Sequence, residues 1–289
     1  MKRTRIMGLC LVAVCAVFAF AATSAFAVEN LPHYGKCKKV ALGSGFYKNA
    51  GCTKKAGALT EEKKFEWETL GTKTVPFTSA KLTGSGPAVL EGVSGSEISC
   101  ENQVEKIGEY GPGDQVKNVI GEFSGNCETS GFKCKSTGQN EGEIFTKKLH
   151  GEPGIVKKVL KEEKNEDGND LRAETGTELA AFTCGPVAVK VTGGVVVAAK
   201  SEGKLKTNKM LNKVLVEFLA EKPGKQIPEK WTPNGGGISN EKHEEITEHL
   251  FGDVGKGPEA SGQSLKTVQK SGTIKVELRQ CEKNISCPN

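Results

Sequence analysis

The sequence predicts an all-β fold, an antiparallel sandwich or barrel. Three observations carry this. Short runs of alternating apolar and polar residues recur along the chain, separated by turn signals roughly every ten residues. Glycine is abundant, 36 of 289 residues, and aromatic residues are sparse at 6%, a composition suited to many tight turns between short strands. An even set of cysteines remains once the amino-terminal segment is set aside, which suits a thin core stapled by disulfides.

Lys2, Arg3 and Arg5 precede an uncharged apolar run from Ile6 to Ala22, and Ala25-Phe26-Ala27 follows. This is the three-part pattern of a secretory signal peptide, with removal expected after Ala27 and no membrane span left behind. Removal takes three basic residues and no acidic one, so the formal charge falls from +5 to +2. A chain so near neutrality lacks the electrostatic footprint of a nucleic-acid binder. Its Lys-Lys pairs are scattered among acidic neighbours, so no anionic-membrane patch forms.

Residues 28–66 read as a small loop-rich module stapled by one disulfide. Glu61 to Glu68 suits either a helical turn capped by Thr60 or, through the alternation of Phe65, Trp67 and Thr69, a strand. Residues 67–289 read as the all-β domain. Its strand candidates are 88–93, 97–100, 116–123, 142–146, 213–220 and 273–279, the last with Ile274, Val276 and Leu278 on one face. Val187 to Ala199 is the most β-branched run after the leader and belongs in the middle of a sheet; Thr192-Gly193-Gly194 within it reads as a hairpin turn. The hydrophilic stretch 161–170 reads as an exposed loop. Residues 221–272 read as a long connection with a short helix over 240–250. Ile98-Ser99-Cys100 and Phe182-Thr183-Cys184 are alike and hint at two related halves.

The eight remaining cysteines are Cys37, Cys52, Cys100, Cys127, Cys134, Cys184, Cys281 and Cys287. They allow about 105 connectivities. Spacing favours Cys37–Cys52, Cys127–Cys134 and Cys281–Cys287 as close pairs, leaving Cys100–Cys184. The absence of C-x-x-C and of histidines at zinc-finger spacing argues against a metal role for them.

No motif supplies catalysis or a cofactor site. Glu163, Asn165, Asp167, Gly168 and Glu174 approach an EF-hand loop, but the first ligand is Glu instead of Asp and Asp170 stands where an apolar residue belongs. His243 and His249 are six apart, so on a helix they point to different sides and cannot share a zinc ion. There is no G-x-S-x-G elbow and no phosphate-binding loop. Trp67, in an alternating run, belongs in the core; Trp231, in the long connection, is the candidate ligand contact.

The segments Gly-Lys-Cys-Lys-Lys-Val (35–40), Gly-Phe-Tyr-Lys-Asn-Ala-Gly-Cys-Thr (45–53), Phe-Thr-Cys-Gly-Pro-Val-Ala-Val-Lys-Val-Thr-Gly (182–193) and Lys-Pro-Gly-Lys-Gln-Ile-Pro-Glu (222–229) resemble a family of secreted actinobacterial proteins of unknown function. The resemblance covers most of the chain after the leader. It implies export, several copies per genome and a mostly β fold, and it brings no catalytic residues. The expected role is non-enzymatic: a secreted or cell-envelope protein that binds an extracellular or cell-wall ligand or serves structurally. The alternative is a secreted hydrolase acting on polysaccharide through two carboxylates roughly 5 to 9.5 Å apart.

Overall fold

A computed structural model describes residues 31–157, 165–201, 213–227, 229–234, 245–271 and 276–280. The described residues are 63% strand and 1% helix, all strand pairs running antiparallel with disulfides between them. In order the strands are β1 Pro32–Lys39, β2 Phe65–Thr69, β3 Val75–Lys81, β4 Ala88–Gly92, β5 Glu97–Cys100, β6 Asn102–Tyr110, β7 Val116–Ser124, β8 Glu128–Thr129, β9 Phe132–Lys135, β10 Ile144–Phe145 and β11 Leu149–Lys157. They continue with β12 Asn165–Ala173, β13 Glu178–Cys184, β14 Val187–Ser201, β15 Lys213–Glu221, β16 Lys225–Ile227, β17 Lys230–Pro233, β18 Ile246–Thr247, β19 Leu250–Asp253, β20 Pro258–Ser271 and β21 Glu277–Gln280.

The pairings close two circuits. The first runs β7-β11-β12-β14-β15-β20-β3-β6 and returns to β7. The second runs β13-β14-β19-β20-β4-β5-β8-β9 and returns to β13. Two long strands belong to both. Residues 187–193 of β14 serve the second ring and 194–201 the first. Residues 258–264 of β20 serve the second ring and 265–271 the first.

The hairpin expected at Gly193-Gly194 is therefore a strand passing from one ring to the other. Its apolar run sits in mid-sheet, as its β-branched residues require. Val195, Val197 and Ala199 enter the main core, whereas Val196 and Ala198 face outward under Trp231. Burial on both faces explains why the run does not alternate. Gly193 lies at φ +99, and a Cβ there would stand 1.9 Å from the His249 carbonyl oxygen. Gly257 has an equally left-handed φ of +100 but open space around it. We expect Gly193→Ala to lower unfolding free energy by on the order of 3 kcal/mol and Gly257→Ala by only about 1 kcal/mol. Denaturant titration checks this, and equal losses would mean the close approach is unimportant.

β12 corrects another expectation. Residues 158–164 lie outside the described residues, but 165–173 form a strand between β11 and β14 instead of an exposed loop. Asp167, Asn169 and Asp170 are buried, which is tolerated because partners meet them: Asn169 donates to the Tyr34 hydroxyl at 2.6 Å, and Arg172 sits against Asp170. A strand over 165–173 cannot wrap a calcium ion as an EF-hand loop must, and Glu163 lies outside the described residues. Residues 221–272 likewise hold β16 to β20 instead of a long connection. Of the expected helix, Ile246–Thr247 and Leu250 onward are strand; residues 240–244 lie outside the described residues, as does His243.

Near the amino terminus, β1 is an eight-residue strand where a loop-rich segment is expected. It pairs with β2 and with β21, joining the two ends of the chain in a three-stranded sheet. The helical turn after Thr60 is present as a single 3-10 turn, Thr60–Glu62. Tyr34, Val276 and Leu278 project from this sheet into the main core. On the other face of β21, Arg279 donates to the carbonyls of Gly51 and Cys52 at 2.7 and 2.6 Å. Trp67 is buried with Tyr47 and Cys52.

The disulfides are Cys37–Cys52, Cys100–Cys127 and Cys134–Cys184. The first matches the favoured pairing; the other two replace Cys127–Cys134 and Cys100–Cys184. The turn between Cys127 and Cys134 is indeed a hairpin, and Cys134 N–H donates to the Cys127 carbonyl at 2.8 Å. Its cysteines bond outward, however, to the strands on either side. Cys134 stands directly opposite Cys184 across the β9–β13 seam; Cys127 adjoins β8, which pairs with β5 beside Cys100. The likeness of the Cys100 and Cys184 tripeptides thus has a structural counterpart, since both end strands that flank this hairpin. Cys281 and Cys287 lie outside the described residues.

Candidate functional site

Where the two rings share β14 and β20, their interiors meet in a cavity of about 100 Å³. Val119, Leu171 and Val195 line it from the first ring, and Leu179, Phe182 and Leu250 from the second. The alternation of each strand sends these side chains inward.

Four polar side chains break the apolar wall: Gln103 and Glu105 of β6, Thr146 after β10, and Gln263 of β20. Gln103 and Glu105 stand on the same face because they are two residues apart on one strand. A bulge after Glu105 then places both Lys106 and Ile107 outside, leaving Ile107 exposed. Glu105 is 4% exposed. It accepts from Gln269 Nε2 at 3.3 Å, and the Tyr110 hydroxyl donates to Gln269 Oε1 at 2.9 Å. Burial pushes the Glu105 carboxyl above the usual carboxylate range, and the neighbouring Ser79 and Gln269 side chains only partly offset this. Gln103 is 3% exposed, and its side-chain carbonyl has no hydrogen-bond partner. An unpaired buried acceptor costs about 1–3 kcal/mol.

A second polar cluster lies on the outer face of β12. Asp170 and Glu152 are cross-strand neighbours and both are buried. Arg172 Nε lies 2.5 Å from Asp170 Oδ2, and Arg172 also pairs with Glu248. Gly194 admits the two acids: a Cβ there would stand 2.3 Å from Glu248 Oε2 and 3.2 Å from Asp170 Oδ1. Gln226 closes the cluster, donating to the carbonyls of Gly194 and Glu248 and accepting from Val196 N–H. Burial raises the Asp170 carboxyl to about 8 against the pull of Arg172, with Glu248 and Glu152 adding to the rise.

Trp231 is not a surface contact. It is 1% exposed and fills a hollow between β17 and β11, where a Cβ on Gly154 would strike its ring at 2.6 Å. His249 is half exposed beside Glu229. Among the described residues no group of three or more His, Cys, Asp or Glu is arranged to hold a metal ion, and no helix is long and apolar enough to cross a membrane. The sequence pointed to neither Gln103 nor Glu105, because nothing in Asn102–Tyr110 marks those positions as inward. The one available signal was alternation about Val104, and the bulge breaks it.

Fold and cavity together define the class: a disulfide-braced, all-β protein of two fused strand rings enclosing a small apolar chamber. No family model, curated protein or solved structure matches the chain.

Proposed function

We propose that this is an exported protein of the extracellular space or cell envelope, that it belongs with the secreted actinobacterial proteins its segments resemble, and that it works by holding a small apolar ligand between its two rings. Three disulfides fit an oxidising compartment. The observation that carries the binding reading is the chamber itself: apolar walls with a few convergent polar groups are the usual make-up of a small-molecule site. The polysaccharide-hydrolase alternative has its nearest counterpart in Asp170 and Glu248. Asp170, however, is 2% exposed and Arg172 bridges the pair, an arrangement suited to holding β12 against the segment that leads into β19.

The test is methyl NMR under xenon pressure. Methyl signals of Val119, Leu171, Val195 and Leu250 are expected to shift saturably, while those of Val196, outside the chamber, stay still. Ala180→Leu, which places a larger side chain in the same space, is expected to abolish the shifts and keep the fold. Unchanged methyl signals in the parent protein would remove the binding reading.

A further inference from the structure

The two crossings between the rings are closed differently. At the β14 crossing the backbone itself fills the space. A Cβ on Gly193 would stand 1.9 Å from the His249 carbonyl oxygen, Gly194 N–H donates to that carbonyl at 3.1 Å, and Gln226 ties Gly194 to Glu248. At the β20 crossing the ladders let go. β3 pairs with β20 no further than Thr267, and β4 takes over only at Ser264. The turn over residues 82–87 spans that interval, held to the strand by Leu82 N–H on the Lys266 carbonyl at 2.7 Å. On the other flank β15 stays with β20 as far as Phe218, opposite Leu265, and then turns to β16. A surface hollow lies at this point, walled in part by Leu82, Pro87 and Leu219. Phe218 and Leu265 line both the hollow and the chamber.

A guest held between the rings has to cross the wall somewhere. Parting a strand ladder breaks several backbone hydrogen bonds at once. Turning two side chains to other rotamers breaks none and belongs to the fast motions of a folded protein. We infer that Phe218 and Leu265 are the door of the chamber, and that guests enter and leave through the hollow beneath the 82–87 turn. This rests on the binding reading above and concerns how that site is reached. A door changes the height of the barrier between free and bound states and leaves the two states themselves alone, so it sets rates without setting affinity.

The test obstructs the hollow from outside and reads xenon exchange. Thr83 is exposed, a Cβ on Gly86 meets open space, and both residues border the hollow without lining the chamber. Xenon saturation-transfer NMR gives the exchange rate, and methyl shifts under xenon pressure give Kd. Thr83→Trp and Gly86→Trp are each expected to slow entry and exit together, by roughly tenfold, with Kd unchanged. Phe218→Leu, which narrows the door leaf, is expected to speed both. Thr247→Trp, equal bulk two residues before His249 at the β14 crossing, is expected to leave the rates as they are. If xenon binds the parent and exchanges as fast in both hollow variants, guests enter elsewhere: the inference is wrong and the binding reading stands. Slowing by Thr247→Trp alone would place the door at the other crossing and overturn it too. A weaker Kd in both hollow variants would mean that the hollow is part of the bound site, which also contradicts a door. If xenon leaves the parent's methyl signals untouched, both readings fall.

Discussion

Replacing Cys134 and Cys184 together by alanine is expected to cost about 4 kcal/mol of unfolding free energy, more than removal of either other bridge. The two sulfurs link strands 50 residues apart in sequence. In the chain-entropy account a bridge restricts the unfolded state more as its loop lengthens. Cys100–Cys127 spans 27 residues and Cys37–Cys52 spans 15, and the latter is worth about 3 kcal/mol on the same scale. Geometry adds to entropy here. The second ring is completed by β8 and β9, of two and four residues, and strands so short hold few hydrogen bonds. The Cys100–Cys127 and Cys134–Cys184 bridges fasten this hairpin on both sides. Against a total stability of roughly 5–15 kcal/mol for an ordinary domain, losing the longer bridge is severe. Guanidinium titration of the three paired variants checks the order; a costlier loss at Cys37–Cys52 would contradict it. Non-reduced peptide mapping is expected to recover Cys100 with Cys127.

The second large effect is on pH dependence. Asp170 holds its proton to about pH 8 in the folded chain, whereas its ordinary value is 3.8. Between those limits the native state binds one more proton than the unfolded state. Stability therefore falls as pH rises through this window, by at most about 1.4 kcal/mol per pH unit. The contribution is present in full below about pH 4 and is gone above about pH 8. Glu105 and Glu248, both raised mainly by burial, act in the same direction. Asp170→Asn removes the largest of these groups while keeping the side chain's shape. The variant is expected to lose less stability than the parent between pH 5 and pH 8, measured by denaturant unfolding at each pH. An unchanged difference would mean that Asp170 is ionised throughout, held so by Arg172.

Much of the architecture was legible in the sequence because it rests on local signals. Alternation placed β4, β5, β7 and β15 close to their observed limits, and the β-branched run of β14 marked the middle of a sheet. What escaped were positions where a distant partner overrides local character. Asn169 and Asp170 look like loop residues until Tyr34 and Arg172 meet them. Gly193-Gly194 looks like a turn until the backbone at His249 comes so close that only glycine fits. Of the cysteine pairings, Cys37–Cys52 held, and the other two within the described residues failed for a related reason. Nearness in sequence identified the hairpin, but the choice of partner depended on which strands close the ring around it. The chamber was the least legible feature, since its lining comes from ten or more strands and no segment carries its signature.

The two closed circuits have a bearing on how the protein behaves at high concentration. A flat sheet ends in a row of unused amide and carbonyl groups that can recruit a neighbouring molecule and seed fibrils. Here each principal strand has partners on both flanks. Among the described residues the outermost positions fall to brief segments such as two-residue β18, or to β2 with Glu66 and Glu68 along it. Such a molecule offers little template for strand addition, so its closed rings protect it from edge-to-edge association even when it is concentrated.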